Sequence, residues 1–137
     1  MIKKTKRSVQ QIKTSSSKNG KLLKYAGIHF IAEFWNGKNI DNSKEIKRIL
    51  LKAAKEAKNN PLEIVVHKFS PQGITGVILL AESHIALHLW PEMNYLAVDI
   101  FTCGKDSDPF KALEYLKKEF QPKRVEIKKI KRGKIAL

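Results

Sequence analysis

The sequence predicts an α+β fold, a two-layer sandwich of a mainly antiparallel sheet with two helices on one face. Three observations predict it. Short segments rich in β-branched, aliphatic and aromatic residues crowd the stretch 62–102. Two segments with helical spacing flank that block, an order that suits helices gathered on one side of a sheet. The length, 137 residues, suits one domain. A chain of that size buries about 70% of its unfolded surface, enough for a core under one sheet.

A strand is predicted over 27–35, apolar on both faces. A helix follows over 42–58, with Asn42 or Ser43 as N-cap and Ile46, Ile49, Leu50, Ala53 and Ala57 at helical spacing. Asn59-Asn60-Pro61 ends it. Strands are predicted over 62–69, 74–82, 84–90 and 94–102, and a break at Glu82–Ser83 could join two of them into one long strand. A second helix is predicted over 109–120, with Asp108 as cap and Pro109 at its first position. It should turn Phe110, Leu113 and Leu116 inward, with Phe120 near its end. A last strand is predicted over 123–130, where Val125 and Ile127 alternate and Ile130 falls out of step. The order is β-α-β-β-β-β-α-β, without internal repeats.

The formal net charge of +14 is unevenly spread. Residues 1–24 hold eight Lys/Arg and no acid, and residues 117–137 hold nine against two. The remaining middle is nearly neutral, with ten basic residues against eleven acidic ones. Residues 1–25 read as a basic, disordered tail and 26–137 as the single domain. Such a tail can contact nucleic acid or anionic surfaces non-specifically. It carries no aromatic residue before Tyr25, and the strands show no base-stacking aromatic pattern. An RNA-binding module is therefore the weaker reading, and the tail is expected to serve solubility. No run of 18 apolar residues and no secretory h-region is present, so no membrane role is expected. A single cysteine points to a reducing, cytoplasmic setting. No metal-ligand spacing, P-loop or dinucleotide fingerprint appears, and no metal is expected.

Chemistry-bearing residues concentrate in Leu80-Ala81-Glu82-Ser83-His84-Ile85-Ala86-Leu87-His88-Leu89-Trp90-Pro91-Glu92 and in Asp99-Ile100-Phe101-Thr102-Cys103-Gly104. Buried strands rarely collect ionisable groups without a use for them. A hairpin centred on Pro91-Glu92-Met93-Asn94 makes facing residue numbers sum to about 185. Ser83 then faces Thr102, and Cys103 faces Glu82, with Cβ atoms about 4.5–5.5 Å apart. The thiol should lie beside the Glu82–Ser83 peptide bond. His84, His88 and Trp90 share one strand face. His88 lies five residues beyond Ser83, about 16 Å along an extended strand and beyond hydrogen-bond reach. Either the strand bends there or a second copy of the chain supplies part of the site.

These segments resemble the self-cleaving S-adenosylmethionine decarboxylases of bacteria and archaea. The likeness rests on Glu82-Ser83-His84, His88-Leu89-Trp90-Pro91-Glu92 and Asp99-Ile100-Phe101-Thr102-Cys103-Gly104. It extends to Gly27–Phe34, to His67–Gly76 and to Asp108–Leu113, and covers about 26–132. The resemblance implies a proenzyme cut between Glu82 and Ser83, with Ser83 converted to a pyruvoyl group that forms a Schiff base with substrate. It implies His88 as proton acceptor in processing, Thr75 as an assisting hydroxyl and Cys103 as proton donor in decarboxylation. It also implies Phe69 against the adenine and Glu92 on the ribose of S-adenosylmethionine. The product would be the aminopropyl donor for spermidine synthesis, made by a homodimer of cleaved protomers.

Such a reaction needs an electron sink that no ordinary side chain offers. A thiol is an apt acid beside it, since a reference pKa of about 8.5 leaves it protonated near neutral pH. Thr75 stands where the family commonly has serine; it keeps the hydroxyl but stiffens χ1. Leu89 and Met93 replace more polar or aromatic family residues, which leaves arginine or ornithine open as alternative substrates for the same chemistry.

Overall fold

The structure, a computed structural model, describes residues 10–12 and 23–136. Its elements run β1 (Gln10–Ile12), β2 (Leu23–Trp35), α1 (Ser43–Glu56), β3 (Pro61–Lys68), β4 (Ile74–Leu80), β5 (Ser83–Trp90), β6 (Tyr95–Thr102), α2 (Pro109–Phe120) and β7 (Arg124–Ala136). The strands form one sheet in the order β1-β2-β6-β5-β4-β3, with β7 also paired to β2. Every pairing is antiparallel. The predicted α+β sandwich is the one observed.

The core lies between the sheet and the two helices. Phe30, Ala32 and Phe34 of β2, Leu96, Val98 and Ile100 of β6 and Ile85, Leu87 and Leu89 of β5 alternate onto the helix side. They meet Ile46, Ile49, Leu50 and Ala53 of α1 and Leu113, Leu116 and Phe120 of α2. Each large aliphatic or aromatic side chain so buried contributes roughly 1.5–3 kcal/mol. Asn42 caps α1 by accepting from the Glu45 N–H at 3.0 Å. Asp108 caps α2 by accepting from the Lys111 N–H at 3.3 Å, with Pro109 at its first turn. The opposite face of the sheet, bearing His84, His88, Trp90, Tyr95 and Asp99, has no helix over it among the described residues.

Four expectations change. Glu82–Ser83 does not join two strands into one. Leu80 pairs with Ser83, so Ala81-Glu82 is a two-residue hairpin turn, and β4 stops at Leu80 rather than at 82. β7 continues to Ala136, paired with β2 back to Leu23, because each added residue satisfies backbone groups of the partner strand. Phe110 is 55% exposed rather than inward, since the apolar stripe of α2 runs through Pro109, Ala112, Leu113, Leu116 and Phe120 and leaves it at the margin. The tail predicted over 1–25 contains strand at Gln10–Ile12 and from Leu23 onward; its other residues lie outside those described.

Candidate active site

Pairs along β5 and β6 run from His84↔Phe101 to Trp90↔Tyr95, a constant sum of 185, as the Pro91–Asn94 turn predicts. A single 3-10 turn at Pro91–Met93, closed by Asn94 in the left-handed region, makes the reversal. This register carries Cys103 back to Glu82. The Cys103 N–H donates to the Glu82 carbonyl oxygen at 3.1 Å, and the Cys103 thiol donates to the same oxygen at 2.9 Å. The carbonyl preceding Ser83 thus sits in a two-donor cradle of the kind that stabilises a developing oxyanion.

Glu82 is held from its other end too. The Asn60 backbone N–H and side-chain amide donate to its two carboxylate oxygens at 2.9 and 2.8 Å, and the Ala81 N–H donates to the Asn60 carbonyl at 2.9 Å. The α1–β3 junction therefore fixes the hairpin tip. Ser83, first residue of β5, places Oγ 3.3 Å from His84 Nδ1. Burial, above all, holds the His84 imidazole below its ordinary value; the neighbouring His29 acts in the same sense and Asp99 against it.

A second group of predicted residues gathers at the far end of β4 and β5. Thr75 pairs with His88, and the Thr75 Oγ1 lies 3.1 Å from His88 Nδ1. Phe69, Thr75, His88, Trp90 and Glu92 line one groove of about 230 Å³. Phe69 sits edge-on to His67 with ring centroids 4.5 Å apart. Its loop closes through a Phe69 N–H to Gly73 carbonyl bond at 2.8 Å, where Gly73 takes φ +102, a conformation suited to glycine. Aromatic rings continue across the open face: Trp90 stacks on Tyr95 at 5.5 Å, and Tyr95 on Trp35 at 4.4 Å.

The seven predicted residues thus form two clusters, Glu82, Ser83 and Cys103 at the hairpin tip and Phe69, Thr75, His88 and Glu92 at the other end. β5 pairs without a register shift on both sides, so it does not bend His88 toward Ser83. Sequence reasoning had passed over His29. Its Nε2 lies 2.8 Å from Asp99 Oδ1, beside His84 on the open face. The pair is 70 residues apart in the chain; the mid-strand Asp99 was the one available signal.

In fold and in sequence this α+β sandwich matches one class of protein. The family model described as S-adenosylmethionine decarboxylase matches residues 28–133. A protein of Carboxydothermus hydrogenoformans named S-adenosylmethionine decarboxylase proenzyme is 47% identical over 109 residues, covering 78% of this chain and 86% of that protein. One of the same name from Thermosipho melanesiensis is 43% identical over 114 residues, covering 82% and 88%. A crystal structure of the adenosylmethionine decarboxylase from Aquifex aeolicus superposes with a TM-score of 0.73 at 36% identity, covering 78% of this chain and 90% of that one. The chain belongs to the S-adenosylmethionine decarboxylase family.

Proposed function

We propose that this chain is a proenzyme that cleaves itself between Glu82 and Ser83 and then decarboxylates S-adenosylmethionine. The observation that carries the reading is the Glu82 carbonyl, held by two Cys103 donors and adjoining the Ser83 hydroxyl. Attack of Oγ on that carbon converts the peptide bond to an ester, and the two donors stabilise the charge that builds on the oxygen. Loss of the Ser83 α-proton then expels the Glu82 carboxylate and leaves dehydroalanine at 83, whose imine tautomer takes up water and releases the nitrogen as ammonia to give the pyruvoyl group. The fragments are 1–82 and 83–137, and 26–137 is the decarboxylase domain.

The residues present fit a pyruvoyl group at position 83: serine is its precursor, and the carbonyl that serine must attack is already polarised. That group supplies the electron sink for decarboxylation. Cys103 then serves as the acid that returns a proton to the substrate carbon. Phe69 offers a face for the adenine, and Glu92, in the same groove, offers acceptors for the ribose hydroxyls. His88 is the acceptor of the Ser83 α-proton, and Thr75 orients its ring. The product is the aminopropyl donor for spermidine synthesis. The names of the relatives favour S-adenosylmethionine over arginine or ornithine.

The working form is a homodimer in the cytoplasm. Ser83 and His88 occupy opposite ends of an unbent strand, about 16 Å apart by its rise, so His88 of one copy must serve Ser83 of another. The uncovered sheet face bears the paired Thr75 and His88, and is where a second copy would complete the site.

Intact-mass measurement of purified protein tests the reading. Two fragments split at Glu82–Ser83 are expected, the second beginning with a pyruvoyl group, and Ser83→Ala should stay one inactive chain. An intact wild-type chain, or cleavage of Ser83→Ala, overturns it.

A further inference from the structure

Self-cleavage begins with an intramolecular attack for which a base must sit at the Ser83 hydroxyl. His88 is bonded to Thr75 at the far end of β5. The imidazole at the hairpin tip is that of His84, with Nδ1 3.3 Å from Ser83 Oγ. Carrying its own proton on Nε2, the ring presents Nδ1 as acceptor and the serine hydroxyl donates.

The ring does not stand alone. His29 meets it edge to face, with centroids 6.2 Å apart and planes at 78°. Phe101 packs on both, at 5.4 Å from His29 and 6.0 Å from His84. His29 is itself anchored twice. Its Nε2–H donates to Asp99 at 2.8 Å, and its Nδ1 accepts from Arg132, whose Nη1 lies 3.5 Å away. The Arg132 guanidinium also lies over the Phe101 ring at 4.5 Å. Four strands, β5, β6, β2 and β7, thus converge on the ring that touches the nucleophile. A chain that only needed a core would not spend two histidines, an aspartate and an arginine there.

We propose that His84 is the general base of the first processing step, with His29, fixed by Asp99 and Arg132, as its positioning residue. His84 Nδ1 takes the Ser83 Oγ proton as the Oγ–C bond to Glu82 forms. The carbonyl electron pair moves onto the oxygen held by Cys103. When that pair returns, the C–N bond breaks, its electrons stay on the Ser83 nitrogen, and His84 delivers the same proton there. The step is an isomerisation from amide to ester and needs no co-reactant. The reading divides the labour between two histidines: His84 before the ester, His88 after it.

The assignment rests on the proposed function, and the test separates the two. Freshly synthesised wild type, His84→Ala, His84→Gln, His29→Phe and His88→Ala chains are followed by intact mass, with and without added imidazole or hydroxylamine. His84→Gln keeps a polar side chain in the slot and serves where alanine would loosen the tip. Both His84 variants should cleave at least about 100-fold more slowly, the usual worth of a positioned base. Imidazole should restore part of the rate to His84→Ala, and His29→Phe should be slowed less. Hydroxylamine, which opens esters, should release fragments from His88→Ala and none from the His84 variants. A wild-type chain that never splits at Glu82–Ser83 overturns the proposed function. Wild-type splitting together with unimpaired His84 variants overturns the base assignment alone. So does a slow His84→Ala chain that ignores imidazole, or a slow His84 variant that yields fragments to hydroxylamine.

Discussion

Replacing Cys103 by alanine removes one of the two donors on the Glu82 carbonyl oxygen and leaves the other, the backbone N–H at 3.1 Å, in place. Loss of a full oxyanion donor slows a reaction by about 10²–10³. A thiol is a weaker donor than an amide or hydroxyl. Self-cleavage of Cys103→Ala should therefore slow by about 10- to 100-fold, or ~1.4–2.7 kcal/mol in the barrier. It should not stop. Decarboxylation should suffer more, by about 10²–10⁴, since the proposed acid is gone. Cys103→Ser keeps a donor on a shorter side chain and should recover cleavage better than turnover. The assay pairs time-resolved intact mass with release of carbon dioxide from S-adenosylmethionine. Cys103→Ala that cleaves and turns over at wild-type rates would remove the thiol from both roles.

Three further outcomes follow from the same geometry. Co-expression of Ser83→Ala with His88→Ala chains should yield cleavage of the His88→Ala chain, because the partner supplies His88; no cleavage in a demonstrated mixed dimer refutes the shared site. Gly27→Ala should destabilise the fold by about 1–3 kcal/mol and slow cleavage, because the new Cβ would press on the Thr102 carbonyl, one residue from Cys103; an unchanged melting curve refutes it. Stability should fall as pH drops below about 6.5, since burial disfavours protonated His84 in the fold and the unfolded chain then binds more protons. His84→Phe should flatten that acid limb in denaturant titrations, and an unaltered slope refutes the attribution.

Much of this arrangement was legible because the signals were local. Pro91 and Asn94 punctuate one turn, so the β5–β6 register followed, and with it the contact of Cys103 with Glu82. Asp108-Pro109 and the helical spacing behind it set α2 to its observed bounds. What escaped lacked a local signature. Ala81-Glu82 is no typical hairpin pair, such as Asn-Gly or Asp-Gly, so the tip at Ser83 read as a possible continuous strand. The last strand is expected to stop at 130, where the apolar alternation fails, yet the basic run beyond it pairs with β2. His29 and Asp99 meet only because β2 and β6 are adjacent in the sheet, a fact of long-range pairing that spacing along the chain does not encode.

The placement of Cys103 also bears on how one residue can serve two different steps. Before cleavage its thiol proton is engaged with the Glu82 carbonyl, at 2.9 Å, where it stabilises negative charge and is not transferred. Under the proposed function, cleavage converts that carbonyl to the carboxylate end of a separate fragment, and the bond that occupied the thiol loses its covalent tie to position 83. The donor stays fixed by its own backbone, at the end of β6 beside the first residue of β5, while the group it faces changes from a peptide carbonyl to a substrate carbon. The change of role therefore needs no movement of Cys103, only the chemistry at Ser83. A rigid hairpin register is the property that makes such reuse possible, and it is also why a substitution at Gly27, outside the reacting residues, should be felt in both steps.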